Sequence, residues 1–150
     1  NKKVKEELNK NLMLFYTGSC MRSEIVLAEQ QKNTYENVGT IDRMVELSKE
    51  ILESLKNNDL AEFGNKLHEG RTLKKKLASK ISNKIIDLYY EKAINAGAIG
   101  GKILGSGGGG FLLFYCEEKK QDKVRKALSS LKETPFNFEP MGSRIIYSDD

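Results

Sequence analysis

The feature that most restricts the fold is a run of glycines leading directly into an apolar segment. Gly105 and Gly107–Gly110 surround Ser106, and six apolar residues, Phe111–Cys116, follow. An ordered glycine costs roughly 0.5–1 kcal/mol of conformational entropy relative to alanine, so something must approach this backbone closely. The segment is too rich in glycine and aromatic residues for a helix. We predict two antiparallel strands joined through a glycine loop.

Two interpretations of this loop stay open at the level of sequence. Free amide groups in a glycine loop can line a concavity for phosphate, or for a partner loop that holds phosphate. The alternative is a tight hairpin between closely packed strands, for which about two or three glycines would suffice. The larger number in this chain favours the first interpretation.

Length and charge describe one domain over residues 1–150. The chain has 150 residues, 39% of them hydrophobic, and a net charge of +4. A chain of this size buries roughly two thirds of the surface that its unfolded form exposes, so it can build a core without metals or disulfides. The lysines alternate with acidic residues, which does not call for nucleic acid. The densest basic run, Lys74-Lys75-Lys76, is interpreted as the solvated face of a helix.

No segment predicts a membrane span or a secretory signal, and we expect a cytoplasmic protein. The longest apolar run, Phe111–Cys116, has six residues, against roughly 20 needed to cross a bilayer. Asn1–Asn11 mixes charges of both signs and lacks an apolar centre. Cys20 and Cys116 have no CxxC or CxxH spacing around them and are interpreted as reduced thiols.

Hydrophobic periodicity predicts a strand at Leu12–Tyr16 followed by a group of helices. Asp59 and Glu62 have the form of a capping box, Ser82 is the expected cap of a later helix, and Gly97 is the expected end of that helix. The clearest helix carries apolar residues at steps of three and four. Its predicted core-facing stripe is Val38, Ile41, Val45, Ser48, Leu52 and Leu55.

The last third of the chain predicts one more helix and a closing strand pair. Val124–Leu131 has helical spacing after a charged turn at Glu117–Lys120. Phe136 and Phe138 alternate with polar residues, and Arg144–Tyr147 reads as a strand. The order is then strand, helices, strand, strand, helix, strand. This order predicts an α+β, ferredoxin-like two-layer sandwich with an antiparallel sheet and an enlarged helical layer.

Three familiar motifs do not fit the loop. Gly105–Gly110 satisfies GxGxxG, but the dinucleotide fingerprint opens a helix and this run opens a strand. A Walker A loop needs Ser or Thr after Gly-Lys, whereas Ile103 follows Lys102. The RNA-binding strand motif needs a stacking aromatic residue where Gly109 stands.

Lys102–Gly110, preceded by Asn95–Gly101, instead resembles the third motif of the superfamily of galactokinase, homoserine kinase, mevalonate kinase and phosphomevalonate kinase, the GHMP kinases. Within it the chain is most similar to bacterial heptose 7-phosphate kinases, over about Leu12 to Tyr147, in the C-terminal half of such an enzyme. Gly70-Arg71 departs from the pattern, because a Trp-containing stretch is expected there. The segments that carry this second resemblance are Phe15-Tyr16-Thr17-Gly18, Arg22-Ser23, Leu67-His68-Glu69, and Ile81-Ser82-Asn83 with Asp87.

The resemblance implies ATP- and Mg²⁺-dependent phosphoryl transfer to the anomeric hydroxyl of a heptose 7-phosphate. It also implies that the ATP phosphate loop and the catalytic acidic residue belong to an N-terminal domain absent from this chain. The chain alone is therefore expected to be inactive. No catalytic residue or metal ligand is predicted within it. The residues expected to frame the phosphate end of an interdomain cleft are Gly105, Ser106, Gly107, Gly108, Gly109, Gly110 and Lys102.

The residues expected to contact the sugar phosphate lie elsewhere in the chain. Arg22 is the candidate for the existing phosphate, because a guanidinium group matches paired phosphate oxygens. A surface arginine at a helix start is the alternative. Ser19 and Ser23 could cap that helix instead, and His68 could be an ordinary helix-face residue. The full predicted set is Thr17, Ser19, Arg22, Ser23 and His68.

Two other functions stay open. A GHMP kinase for a galactose-type or mevalonate-type substrate would carry the same loop, and a non-catalytic ferredoxin-like ligand-binding module would have the same topology. The expected partners are a small sugar phosphate, ATP and the N-terminal domain, with neither nucleic acid nor membrane. The oligomeric state stays open.

Overall fold

The computed structural model describes residues 2–147 of the chain. Short 3₁₀ turns at Tyr35–Asn37 and Ser79–Ile81 connect longer elements. In chain order the elements are α1 (Lys2–Asn11), β1 (Leu12–Tyr16), α2 (Ser23–Lys32), α3 (Val38–Lys56), α4 (Leu60–Leu77), α5 (Lys84–Ala96), β2 (Gly100–Ile103), β3 (Phe111–Tyr115), α6 (Glu118–Ala127) and β4 (Lys132–Glu133).

The four strands form one antiparallel sheet in the order β2-β3-β1-β4. Phe15 of β1 lies opposite Leu112 of β3 and opposite Glu133 of β4, while Lys102 of β2 lies opposite Leu113. The central strand β1 therefore lies between β3 and β4, and neither of them follows it directly in the chain, as the split connections of a ferredoxin-like sheet require. The predicted α+β fold class and the strand pair around the glycine loop are confirmed.

Alternation along the central strands builds the core. Met13 and Phe15 of β1, with Leu112 and Phe114 of β3, are all at most 2% exposed. Neighbouring residues in a strand point to opposite faces, so these side chains share one face of the sheet. The ring centroids of Phe15 and Phe114 lie 6.2 Å apart in an edge-on arrangement. Residues of α2, α5 and α6 complete this cluster, including Val26, Ile86, Ala93, Val124 and Leu128.

A second apolar cluster depends on α1, a helix that the sequence did not predict. Val4 and Leu8 of α1 are buried with Leu60, Phe63 and Tyr115. The mixed charges of this segment occupy the exposed face of the helix, and only two apolar residues, one turn apart, point inward. A segment with so few apolar residues is helical here because the rest of the fold provides a surface on which it packs.

The predicted core-facing stripe of α3 is wrong in most of its positions, although Leu55 packs against the second cluster and Ile41 is half-buried. Val38, Val45 and Leu52 are 48–52% exposed, whereas Leu47 is 3% exposed and Ser54 7%. Both rows of residues satisfy a helical repeat, and α3 packs on α4 through the row that contains Leu47. Periodicity in the sequence does not decide between two adjacent rows on a broadly amphipathic helix.

The prediction for the C-terminal segment is also wrong in part. Helix α6 starts at Glu118 and ends at Ala127, so most of the proposed charged turn is helical. The segments around Phe136–Phe138 and Arg144–Tyr147 are irregular, and β4 has only two residues. The pairing of β4 with β1 extends to Thr134, whose amide donates to the Leu14 carbonyl at 2.8 Å. It stops at Pro135, which has no amide hydrogen to extend the ladder.

The predicted helix caps have different outcomes. Asp59 accepts a hydrogen bond from the Glu62 amide at 2.9 Å, which confirms this cap. Gly97 ends α5 with φ at +118°, also as predicted. Ser82 is not the cap of α5, because Asn83 accepts from the Ile85 and Ile86 amides at 3.0 Å. Apolar spacing through Leu73, Leu77 and Ile81 predicts a helix that continues to position 81, but α4 ends at Leu77.

Candidate functional site

The glycine loop lies between two other segments of this chain. The Gly108 amide donates to the Ile81 carbonyl at 2.8 Å, which joins the loop to the turn before α5. On the other side the Gly110 amide donates to the Ser19 carbonyl at 2.6 Å, and the Thr17 amide donates to the Gly110 carbonyl at 2.8 Å. The loop is therefore clamped between residues 17–22 and 79–82.

Glycine is required at this contact for steric reasons. A Cβ on Gly107 would lie 2.7 Å from the Ile81 carbonyl oxygen, and one on Gly109 would lie 2.6 Å from the Ser19 carbonyl oxygen. Gly107 and Gly108 also have φ of +112° and +77°, a region that other residues rarely adopt. The close approach predicted from the glycine content is present, and its partner within residues 2–147 is the domain's own backbone.

The clamp uses only alternate amides of the loop. Gly108 and Gly110 donate to carbonyl groups, whereas Ser106, Gly107 and Gly109 donate no hydrogen bond to any part of the chain that the structure describes. Successive free amides in a loop with left-handed residues are the donors that form anion-binding concavities. The loop is thus fixed in shape while some of its donors stay free.

Thr17 is the side chain that ties the two loops together. It is 9% exposed, and its hydroxyl lies 2.9 Å from the Gly110 carbonyl oxygen and 3.2 Å from that of Ser19. Arg22 and Ser23 follow in the same segment, both exposed at the start of α2. The structure therefore brings Thr17 and Ser19 against the glycine loop and leaves the Arg22 and Ser23 side chains toward solvent.

His68 lies apart from these residues, on α4. Its Nδ1 is 2.8 Å from the Tyr90 hydroxyl, and the Arg71 guanidinium lies 3.8 Å from the centroid of the same Tyr90 ring. Burial is the main cause that raises the pKa of Tyr90 to about 12, so its hydroxyl stays protonated near neutral pH. His68 thus belongs to a side-chain network that joins α4 to α5.

Asp87 is the centre of that network. It accepts hydrogen bonds from Arg71, from Lys75 at 2.9 Å and from the Ser82 hydroxyl at 2.7 Å. Burial alone would raise the pKa of Asp87, but the hydrogen bonds of Lys75 and Ser82 and the charges of Lys75 and Arg71 outweigh it and lower the pKa. This network fixes the turn on which the glycine loop rests.

A cavity of about 190 Å³ lies beside the network, between α3, α4 and β2. Five cations and no carboxylate line it. Lys74 and Lys75, expected on a solvated face, are half-buried here, and only Lys76 of that run is exposed. A run of three lysines does not show in the sequence which of them turn inward. The five cations are Lys66, Arg71, Lys74, Lys75 and Lys102.

Residues 51–134 match the protein family described as GHMP kinases C terminal, and this match spans more than half of the chain. It includes the glycine loop and residues 79–82, one of the two segments that hold the loop. The chain belongs to the GHMP kinase C-terminal family. The resemblance drawn from Lys102–Gly110 is confirmed.

The relatives of this GHMP kinase domain are kinases of different kinds. It is 29% identical over 134 residues to the bifunctional fucokinase/GDP-fucose pyrophosphorylase of Arabidopsis thaliana, which covers 85% of this chain and 12% of that protein. It is 26% identical over 128 residues to the D-glycero-alpha-D-manno-heptose 7-phosphate kinase of Campylobacter jejuni, covering 83% of this chain and 38% of that protein. The chain therefore spans well under half of the curated relatives it matches.

The fold of the GHMP kinase domain is also that of solved kinases. The L. major mevalonate kinase, crystallised with R-mevalonate, superposes with a TM-score of 0.71 at 18% identity, over 81% of this chain and 40% of that one. At 18% identity this likeness establishes the fold alone. Among residues 2–147 no group of three or more His, Cys, Asp or Glu side chains could hold a metal ion. None of the domain's described helices is both long and apolar enough to span a membrane.

Proposed function

We propose that this domain is the C-terminal half of an ATP-dependent sugar kinase that phosphorylates the anomeric hydroxyl of a heptose 7-phosphate. Membership of the GHMP kinase family supports a kinase. The relative from Campylobacter jejuni is a heptose 7-phosphate kinase, which supports the sugar. The same proposal includes a cytoplasmic location, where ATP is available.

The observation that carries this proposal is that only some amides of the glycine loop are used to hold the loop in place. Phosphoryl transfer depends mainly on positioning and on stabilising charge on the moving group. Donors serve that purpose best when they are fixed before the substrate arrives. Hydrogen bonds from Gly108 and Gly110 fix the loop. Of the three amides without a partner in residues 2–147, that of the half-buried Ser106 is proposed to face a phosphate or the loop that holds it, because Gly107 and Gly109 are buried.

The substrate-side assignments follow the same geometry. The hydroxyl of Thr17 holds the loop, and we assign it a positioning role rather than a direct contact. Ser19, Arg22 and Ser23 continue the segment that flanks the loop, and all three are exposed. Arg22 is the residue proposed to bind the 7-phosphate. His68 is bonded to Tyr90, so its proposed substrate contact has the least support.

ATP and Mg²⁺ are held mainly by the N-terminal domain in this proposal, together with the catalytic acidic residue. When bound, they supply the transferred phosphoryl group and neutralise its charge. The contribution of this domain is one wall of the cleft, formed by the glycine loop, and exclusion of water from it. A chain of residues 1–150 alone is then expected to show no turnover.

A second candidate is a GHMP kinase for a substrate of the mevalonate type. The superposition on mevalonate kinase supports the shared fold, although it does not select the substrate. Fucose and galactose are further sugars of interest, given the fucokinase relative. Gly70-Arg71 departs from the heptose kinase pattern, and this departure is the reason to test these other substrates.

The test is a coupled assay of ATP consumption by the complete protein that contains this chain. Heptose 7-phosphate, mevalonate, galactose and fucose are compared at equal concentrations, with residues 1–150 alone as the control. We expect turnover with heptose 7-phosphate and at most about 1% of that rate with the others and with the control. Turnover with mevalonate alone would replace the first candidate by the second. No turnover with any of them would overturn both.

A further inference from the structure

The cationic cavity beside the glycine loop has an uneven distribution of charge. Lys66 is paired with Glu50 at 2.6 Å and with Glu62 at 3.3 Å. Arg71 and Lys75 share Asp87, at 2.9 Å for Lys75. Three of the five cations that line the cavity therefore have a carboxylate partner in the same domain, although Arg71 and Lys75 share one.

The other two cations, Lys74 and Lys102, are not neutralised. Neither forms an ion pair with any carboxylate in residues 2–147. Lys74 donates only to the Gly105 carbonyl, at the start of the glycine loop. Both side chains line the same cavity, and burial, followed by the charge of Lys102, lowers the pKa of Lys74.

The surroundings make this pair costly unless an anion joins it. Leu47, Ile81 and Ile103 line the same cavity, and all three are at most 4% exposed. Two like charges in a partly apolar cavity destabilise the fold, and a bound anion reverses the sign of that interaction. The cavity volume of about 190 Å³ exceeds the space that a phosphate group needs.

We propose that Lys74 and Lys102 together bind a phosphoryl group in this cavity, beside the glycine loop. The proposal rests on the proposed function only for the identity of the phosphate, which comes either from the nucleotide or from the sugar phosphate. Lys74 is the new member, since its ammonium group both contacts Gly105 and faces the cavity. Ammonium groups suit phosphate as point charges that follow its oxygens.

The experiment measures binding of inorganic phosphate to the complete protein by calorimetry. The variants are Lys74→Met and Lys102→Met, which keep the length of the side chain and remove its charge. Lys76→Met is the matched control, because Lys76 is exposed on the same helix and lies outside the cavity lining. We expect the dissociation constant to rise about ten- to a hundredfold in each of the first two variants and to stay within about twofold in the control.

Lys74→Arg keeps a positive charge at this position, and it should bind phosphate within about fivefold of the unsubstituted protein. Absence of phosphate binding by the unsubstituted protein, or equal binding by Lys102→Met and Lys76→Met, would overturn the proposal. With substrates, a rise in KM for ATP alone assigns the phosphate to the nucleotide, and a rise for the sugar phosphate alone assigns it to the sugar. A protein that binds phosphate through this pair but turns over no substrate fails only the proposed function.

Discussion

The amide of Gly108 donates a 2.8 Å hydrogen bond to the carbonyl oxygen of Ile81, the residue that ends the turn before α5. The glycine loop is thereby joined to the helical layer rather than only to its own strands. Ile81 is 1% exposed, so this anchor is part of the core. Changes in the loop are therefore expected to affect folding as well as any function of the loop.

Gly107→Ala should destabilise the fold strongly. The new methyl group would lie 2.7 Å from the Ile81 carbonyl oxygen, in a backbone conformation with φ of +112°. Strain and overpacking together are expected to lower the free energy of unfolding by about 2–4 kcal/mol. Urea unfolding followed by circular dichroism measures it.

Gly39→Ala is the control for that measurement. Gly39 lies in α3, and a methyl group there would meet nothing within 4 Å. Alanine is favoured over glycine in a helix by roughly 0.5–1 kcal/mol, so this variant should be unchanged or slightly more stable. Equal losses in both variants would contradict the steric account of the loop.

Thr17→Val should weaken the clamp without a change of shape. The buried Thr17 hydroxyl loses its contact with the Gly110 carbonyl, 2.9 Å away. We expect a loss of about 1 kcal/mol, which lowers Tm by roughly 2–4 °C for a domain of this size. Thr72→Val is the control, because the Thr72 hydroxyl bonds within an exposed helix face. A lower Tm in the control than in Thr17→Val would count against the clamp.

Asp87→Ala should leave two cations without their partner. Arg71 has only 11% of its side chain exposed, and Lys75 has 36%. Breaking a largely buried ion pair from one side is expected to reduce the free energy of unfolding by about 2–4 kcal/mol. Asp122→Ala removes an exposed partner of Arg125 and should change the free energy of unfolding by at most about 0.5 kcal/mol. Similar values for the two variants would exclude a special role for Asp87.

The stability of the domain should fall in acid between about pH 4.5 and pH 2. Hydrogen bonds from Arg43 and Lys66 lower the pKa of Glu50 to about 2 from its ordinary 4.5. A carboxyl group with a lowered folded-state pKa contributes stability above its unfolded pKa, and this is lost as the pH falls toward the folded value. Asp87, whose pKa is also lowered, acts in the same direction.

Glu50→Gln is the variant that checks this pH dependence. Glutamine does not ionise, so the urea midpoint should fall less between pH 4.5 and pH 2 than in the unsubstituted chain. The surrounding charges stay in place, namely Arg43, Lys66, Glu46, Glu62 and Glu69. An identical acid slope in both chains would rule out Glu50 as a contributor.

Much of the fold could be predicted because its signals are local. The strand at Leu12–Tyr16, the cap at Asp59 and the turn at Gly97 follow from alternation, a side-chain acceptor and a left-handed φ. Helix α1 and the irregular C-terminal segment were missed. Their structure depends on which surface the rest of the fold presents to them, and a short stretch of sequence does not contain that information.

For the same reason, only part of the candidate site could be predicted from the sequence. The glycine loop is visible in the sequence because glycine at such density has a strong backbone cause. The position of Lys74 in the cavity is not visible in the sequence, because Lys74 differs from Lys76 only in the direction in which its side chain leaves the helix.

The sequence by itself determined the central strands, the glycine loop and the family motif, because these depend on neighbouring residues and on backbone preferences. Only the tertiary structure decided which row of α3 is buried, what the glycines pack against and which lysines are left without a carboxylate. Those outcomes depend on contacts between residues far apart in the chain, such as Gly110 with Ser19 and Lys74 with Gly105. Packing chooses among arrangements that are equally compatible with the local pattern.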